Sequence, residues 1–135
     1  NGGIIVPELH YGRDSLVGVA LFLTHLAHQK MKASELKATY PKYFMAKEKA
    51  QLTADMDVDA LLKKVALMHA GETMSTVDGL KIDFDDAWVH MRKSNTEPIV
   101  RIYTEAGSQA EADALAAQFV KQLEASSLSD STLTP

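Results

Sequence analysis

Between Thr73 and Ala106 the chain passes through four strand-like segments separated by turn signals only a few residues long, and this spacing constrains the fold more than any other feature. Thr73–Val77 and Leu80–Phe84 flank Asp78-Gly79, residue types that accept the positive φ of a two-residue hairpin turn. Ala87–Met91 and Ile99–Tyr103 flank a longer polar stretch. A parallel return needs a crossover of a dozen or more residues, so strands joined this closely must be antiparallel neighbours.

The flanking sequence supplies the rest of an α+β unit. Tyr43–Leu52 alternates, with Phe44, Ala46, Ala50 and Leu52 on one side, and predicts a strand. Asp57 is placed to cap a helix with the apolar stripe Val58, Leu61, Leu62, Val65 and Met68, ending near Gly71. Ser108-Gln109-Ala110-Glu111 is a capping box opening a last helix, whose buried stripe is Ala112, Leu115, Ala116, Phe119, Val120 and Leu123. The order β-α-β-β-β-β-α predicts an antiparallel sheet of about four to five strands with two helices on one face.

Residues 1–40 read differently. Ile4–Val6 predicts a short buried strand closed by Pro7, and Asp14 or Ser15 can cap a helix running to about Lys32 with Leu16, Val19, Ala20, Leu23, Leu26 and Ala27 on one stripe. The longest apolar stretch, Leu16–Leu23, is too short to span a bilayer and reads as a buried helix. Ser34 can cap a further turn through Lys37, which stops before Tyr40-Pro41 because a residue preceding proline avoids the α region. The boundary is therefore set at Pro41: residues 1–40 as the last strand and helix of an α/β domain, 41–126 as a second domain, and the serine- and threonine-rich 127–135 as a disordered tail. Asn1-Gly2-Gly3 runs straight into Ile4-Ile5-Val6 with no initiator methionine, so the sequence reads as a fragment.

At 135 residues with 46% hydrophobic and 24% charged content, the chain is ordinary for a globular protein. The formal charge of −4 argues against nucleic acid as a partner, whose binding rests on lysine and arginine neutralising many phosphates. No segment predicts a membrane partner. The absence of cysteine removes thiolate nucleophiles and zinc–thiolate sites, and is compatible with a cytoplasmic location.

The chemistry concentrates in Arg92-Lys93-Ser94-Asn95-Thr96-Glu97-Pro98 and in Arg101. A short polar loop between strands presents N–H groups and hydroxyls to one point, and arginine adds a planar fork that matches phosphate oxygens. Arg92 is expected to pair with phosphate; the plainer alternative is a surface arginine beside a carboxylate. Ser94 and Thr96 can donate hydroxyl bonds, and Asn95 can tolerate a left-handed backbone, although simple turn chemistry explains the same three residues. Arg101 fits a phosphate contact or, slightly better, an ion pair with Glu97 or Glu105. Lys93 alternates away from Arg92. His90 and Trp88 share the face of Arg92; Trp88 is expected to pack, and His90 has no assigned role. His25 and His28, three apart on a helix, read as surface histidines rather than metal ligands.

The run Arg92-x-Ser94-Asn95-Thr96-Glu97-Pro98-x-x-Arg101, with Tyr103-Thr104-Glu105-Ala106 behind it, resembles the phosphate-binding loop of the α-D-phosphohexomutases, which include phosphoglucomutases, phosphomannomutases and phosphoglucosamine mutases. Asp78-Gly79-Leu80-Lys81-Ile82 followed by Trp88 resembles the hairpin ahead of that loop, and Asn1-Gly2-Gly3-Ile4-Ile5 with Arg13-Asp14 resembles the end of the third domain, just after its sugar-recognition loop. The resemblance extends from Asn1 to about Leu123. It implies a TATA-binding-protein-like fourth domain that grips the phosphate not being transferred, through Arg92, Ser94, Asn95, Thr96 and Arg101, with Asn1, Gly2 and Gly3 as the remnant of the sugar loop.

It further implies a four-domain isomerase that interconverts hexose 1- and 6-phosphates through a bisphosphate intermediate and an enzyme phosphoserine. Mg2+ would be bound outside this fragment, and the partners would be hexose phosphate and other domains of the same chain. Neither the phosphoserine loop nor the metal loop occurs in these residues. The fragment is thus expected to be inactive alone, with no catalytic residue and no metal ligand of its own. The family's Gly-Glu sugar contact falls before residue 1, which leaves glucose, mannose and glucosamine open. A stand-alone module binding phosphorylated ligands is the rival reading.

Overall fold

A computed structural model describes residues 3–52 and 56–128. The chain divides into two compact units, Asn1–Pro41 and Lys42–Pro135.

In the first unit, α1 (Ser15–Gln29) begins where the sequence calls for it. The carboxylate of Asp14 accepts from the N–H groups of Leu16 (2.8 Å) and Val17 (3.2 Å), satisfying donors a helix start otherwise leaves open. The helix ends three residues earlier than expected, because Lys30 turns left-handed (φ 53°) and returns its N–H to the carbonyl of Leu26. A shorter helix, α2 (Ala33–Thr39), is capped at Lys32 rather than Ser34: the Glu35 carboxylate accepts from the Lys32 N–H at 2.7 Å, and Ser34 sits inside the first turn.

Two expectations fail here. Ile4–Val6 is not a strand; Val6 makes a single bridge to His10 across a turn at 7–9, and Ile4 and Ile5 are exposed and outside regular structure. No extended segment lies beside it among the described residues of this unit, and a strand exists only through a partner. Helix α1 likewise buries none of its residues, although Leu16, Val19 and Leu23 were expected to be interior. Among the described residues of the unit, the helix beside it is the seven-residue α2, which has too little surface to cover it.

The second unit is built on five antiparallel strands: β1 (Phe44–Gln51), β2 (Thr73–Ser75), β3 (Leu80–Asp83), β4 (Trp88–Lys93) and β5 (Ile99–Ala106). Their spatial order is β1-β5-β4-β3-β2, and two helices, α3 (Val58–Met68) and α4 (Gln109–Leu128), pack on one face. This is the α+β arrangement the element order predicts. Alternation makes the sheet two-sided. Ala50, Leu80, Ile82, Val89, Met91, Val100 and Ile102 meet Val58, Leu61, Leu62 and Val65 of α3 and Phe119 and Leu123 of α4 in one core. Buried Thr104 bolts β5 to α4 by donating its hydroxyl to the Ala112 carbonyl at 2.8 Å.

The helix starts follow the predicted chemistry. Asp57 accepts from the N–H groups of Asp59 and Ala60 at 3.0 and 3.1 Å. At Ser108 the hydroxyl accepts from the Glu111 N–H at 3.2 Å and donates to its carboxylate at 2.9 Å. Three details differ. Met68 is exposed; the next residue, His69, takes its place against the core, its ring stacked 5.1 Å from Phe119 and edge-on at 6.1 Å to Phe84. The β2–β3 hairpin is wider than a two-residue turn, since Ser75 pairs with Lys81 and residues 76–79 connect the two strands. Finally, α4 continues through 127 and 128, which were assigned to the tail; 129–135 lie outside the described residues.

Candidate phosphate-binding loop

Strands β4 and β5 present the loop. Their register pairs Trp88 with Glu105, His90 with Tyr103 and Arg92 with Arg101, so these six residues share the face opposite the helices, while Val89 and Met91 point into the core. Arg92 therefore leaves β4 on the open side just before the strand ends at Lys93. The pair is closed by two backbone bonds, Ser94 N–H to the Ile99 carbonyl (3.0 Å) and Ile99 N–H to the Glu97 carbonyl (2.8 Å). The Leu52 N–H, at the end of β1, also donates to the Pro98 carbonyl at 3.0 Å.

Within this frame Ser94 is buried while Asn95 and Thr96 are exposed. The hydroxyls of Ser94 and Thr96 stand 3.5 Å apart, and the Thr96 N–H lies 3.5 Å from the Ser94 oxygen. At that separation a shared acceptor can sit between the two hydroxyls. Asn95 does not use a left-handed backbone: among the described residues Lys30 is the only non-glycine with positive φ.

Both arginines are half exposed and each faces one carboxylate. Arg92 lies 3.4 Å from Asp78 in the β2–β3 loop, the arrangement of the plainer alternative, and Arg101 lies 3.6 Å from Glu97. Glu105, the other candidate for Arg101, instead accepts from the indole N–H of Trp88 at 3.0 Å. Trp88 is half-buried, with the Lys81 ammonium 5.4 Å from its ring centroid and Lys81 itself paired to Asp83. Lys93 is exposed.

Two residues at the site carried no functional assignment from sequence. His90 donates its Nε2–H to the Asp78 carbonyl at 2.6 Å, and Asp78 was read only as a turn former. Both could have been found by counting register: Leu80 pairs with Met91, which sets position 79 opposite Arg92.

Of the other candidates, Gly3 is exposed in the first unit, where a Cβ would collide with the Arg13 side chain at 2.3 Å; Asn1 and Gly2 lie outside the described residues. His25 and His28 are exposed on α1. Among the described residues no three His, Asp or Glu side chains converge to hold a metal ion, and no helix is long and apolar enough to cross a membrane.

A five-stranded antiparallel sheet, two helices on one face and an arginine-flanked polar loop at the end of its two central-most paired strands define a distinct class of α+β domain. The family described as Phosphoglucomutase/phosphomannomutase, C-terminal domain, matches residues 43–122, and the chain belongs to that family. A phosphoglucosamine/phosphogalactosamine mutase of Sulfurisphaera tokodaii is 36% identical over 126 residues, 92% of this chain and 28% of that protein. A phosphoglucomutase/phosphomannomutase of Thermococcus kodakarensis is 41% identical over 114 residues, 83% of this chain and 25% of that protein.

The chain thus spans about a quarter of the length of the curated relatives it matches. Among solved structures, a phosphoglucomutase/phosphomannomutase family protein of Burkholderia thailandensis superposes with a TM-score of 0.66 at 27% identity, covering 93% of this chain and 27% of its own. The N-acetylphosphoglucosamine mutase of Aspergillus fumigatus, described in complex with GlcNAc-6P and magnesium, shares the fold at a TM-score of 0.53 and 21% identity over 85% of this chain and 22% of its own.

Proposed function

We propose that this chain is the phosphate-clamping C-terminal part of a phosphohexomutase that interconverts hexose 1-phosphate and 6-phosphate through a bisphosphate and an enzyme phosphoserine. One observation carries the reading: in a family of mutases, β4 and β5 bring Arg92, the paired Ser94 and Thr96 hydroxyls and Arg101 to one rim of the sheet. A phosphoryl dianion offers acceptors only, and this rim offers mostly donors. The Arg92 fork takes two oxygens side by side, Ser94 and Thr96 donate from the loop, and the Asn95 amide can add a donor. Arg101, held by Glu97, contributes positive field and lends a direct contact only when that pair opens.

The role is positioning. Each charged hydrogen bond to the phosphate that is not transferred contributes about 1.5–3 kcal/mol, and together they orient the sugar for in-line transfer elsewhere. Mg2+, when bound, would neutralise charge on the transferring phosphoryl group, and no residue of this chain is assigned to it. The 135 residues alone are proposed to bind and not to turn over substrate.

The test is an amide-resolved NMR titration of the 135-residue chain with glucose 1-phosphate and glucose 6-phosphate. Saturable shifts centred on 92–101 are expected. Shifts that cluster elsewhere while this loop stays silent would remove the clamp from these residues, and mutase turnover by the purified chain would remove the positioning-only role.

A further inference from the structure

We infer that Asp78, on the 76–79 loop, is a positioning residue that sets Arg92 in its phosphate-gripping orientation before ligand arrives; the inference rests on the clamp reading above. Three contacts fix the loop over β4. Gly79 adopts φ +77°, and a Cβ there would stand 2.2 Å from the Met91 carbonyl oxygen, 3.0 Å from Cα of Arg92 and 3.1 Å from its Cβ, so only glycine permits the approach. His90 donates to the Asp78 carbonyl at 2.6 Å. With the backbone of Asp78 held, its carboxylate stands 3.4 Å from the Arg92 Nη1.

A carboxylate on a swinging side chain could compete with phosphate for the guanidinium. Here the Asp78 backbone is anchored by His90, and its carboxylate, 61% exposed, engages one nitrogen of a fork that carries five N–H donors and leaves the remainder of the fork available. Arg92 is 46% exposed, so those donors remain reachable. Arginine loses much rotamer freedom when it grips a ligand, and a side chain ordered beforehand loses less at the moment of binding. The loop holding Asp78 is far from the Ser94–Thr96 loop in sequence, and it reaches the site only because β3 and β4 pair in the observed register.

The experiment is a double-mutant cycle read by NMR titration of the 135-residue chain with glucose 1-phosphate, using wild type, Asp78→Asn, Arg92→Ala and the double variant. Asp78→Asn keeps the shape of the side chain and removes its charge, and the spread of amide resonances confirms folding in each case. The expected result is that Asp78→Asn weakens binding about threefold, in the range of exposed ion pairs, and has no effect once Arg92 is alanine. Unchanged or tighter binding by Asp78→Asn overturns the inference, the second outcome marking Asp78 as a competitor. Equal weakening in both backgrounds also overturns it, since Asp78 would then act without Arg92. A wild-type loop that ignores glucose 1-phosphate fails at the earlier step and removes the clamp together with this inference.

Discussion

Arg92 and Arg101 are direct cross-strand partners on β4 and β5, so two guanidinium groups leave the same face of the sheet from facing positions. Like charges placed this way work against strand pairing, and each arginine has a carboxylate beside it, Asp78 and Glu97 respectively. Lys49 pairs with Arg101 from the other side, adding a third cation to the row. An arrangement that costs stability in the free sheet is relieved by an anion, which links stability to ligand. Inorganic phosphate at ten times its dissociation constant is expected to stabilise the second unit by about 1.4 kcal/mol. Thermal unfolding in phosphate against chloride at equal ionic strength checks this, and a tenfold weaker Arg92→Ala should keep only about 0.4 kcal/mol of the difference.

Arg92→Ala in the full-length enzyme is expected to lower kcat/KM for hexose phosphate by about tenfold or more, from the loss of one charged contact. A clamp on the non-reacting phosphate acts in both ground and transition states, so part of the loss should appear in KM. Steady-state kinetics with glucose 1-phosphate decide the matter, and an unchanged kcat/KM takes Arg92 out of the site.

Much of the second unit was legible because its signals are local. Asp57 and Ser108 are side chains whose reach is a few residues, and both cap the helices their positions imply. Alternation along β4 is enough to put Arg92, His90 and Trp88 on one face, and the register agrees. The failures share a cause: they depend on what lies alongside. Among the described residues of the first unit, Ile4–Val6 carries strand propensity but has no strand beside it, and α1 has a short helix, α2, beside it. At the site, the polar loop could be read from residue types, whereas Asp78 entered only through the β3–β4 register. His69 was missed for a similar reason, because a helix stripe predicts which face is buried but not how the chain turns after the last helical residue.

The core predicts a graded pair of losses. Phe119 is fully buried between α3, the sheet and His69, and truncation to alanine is expected to cost about 3–5 kcal/mol, enough to unfold much of the population of a marginal domain. Thr104→Val keeps the shape and loses only the hydroxyl donated to the Ala112 carbonyl, at a cost of about 1 kcal/mol. Urea melts should show both as lower midpoints with the slope unchanged.

Asp14 predicts a pH dependence confined to α1. The hydrogen bond from His10, then those from the Val17 and Leu16 N–H groups, hold its carboxyl below the ordinary value of 3.8. A depressed folded value means that the unfolded chain takes up the proton first as pH falls. The stabilisation is therefore fully present above about pH 3.8 and is lost as pH drops through the lower folded value. Amide exchange at Leu16 and Val17 should accelerate across that acidic window, and Asp14→Asn, which keeps an acceptor oxygen but cannot titrate, should flatten the response.

Gly79→Ala is expected to disturb the site without replacing any residue proposed to meet phosphate. A methyl group at this position faces backbone, the Met91 carbonyl at 2.2 Å and the Arg92 Cα at 3.0 Å, and neither can swing aside as a flexible side chain would. The positive φ adds about 1–2 kcal/mol of strain for a residue with a Cβ. The 76–79 loop must then lift away from β4, which lengthens the His90 bond to the Asp78 carbonyl and withdraws the Asp78 carboxylate from Arg92. Thermal unfolding should show a loss of about 1–3 kcal/mol, and phosphate affinity should fall in step with Asp78→Asn. A variant that loses stability yet binds phosphate as tightly as wild type would separate the loop's structural role from its hold on Arg92.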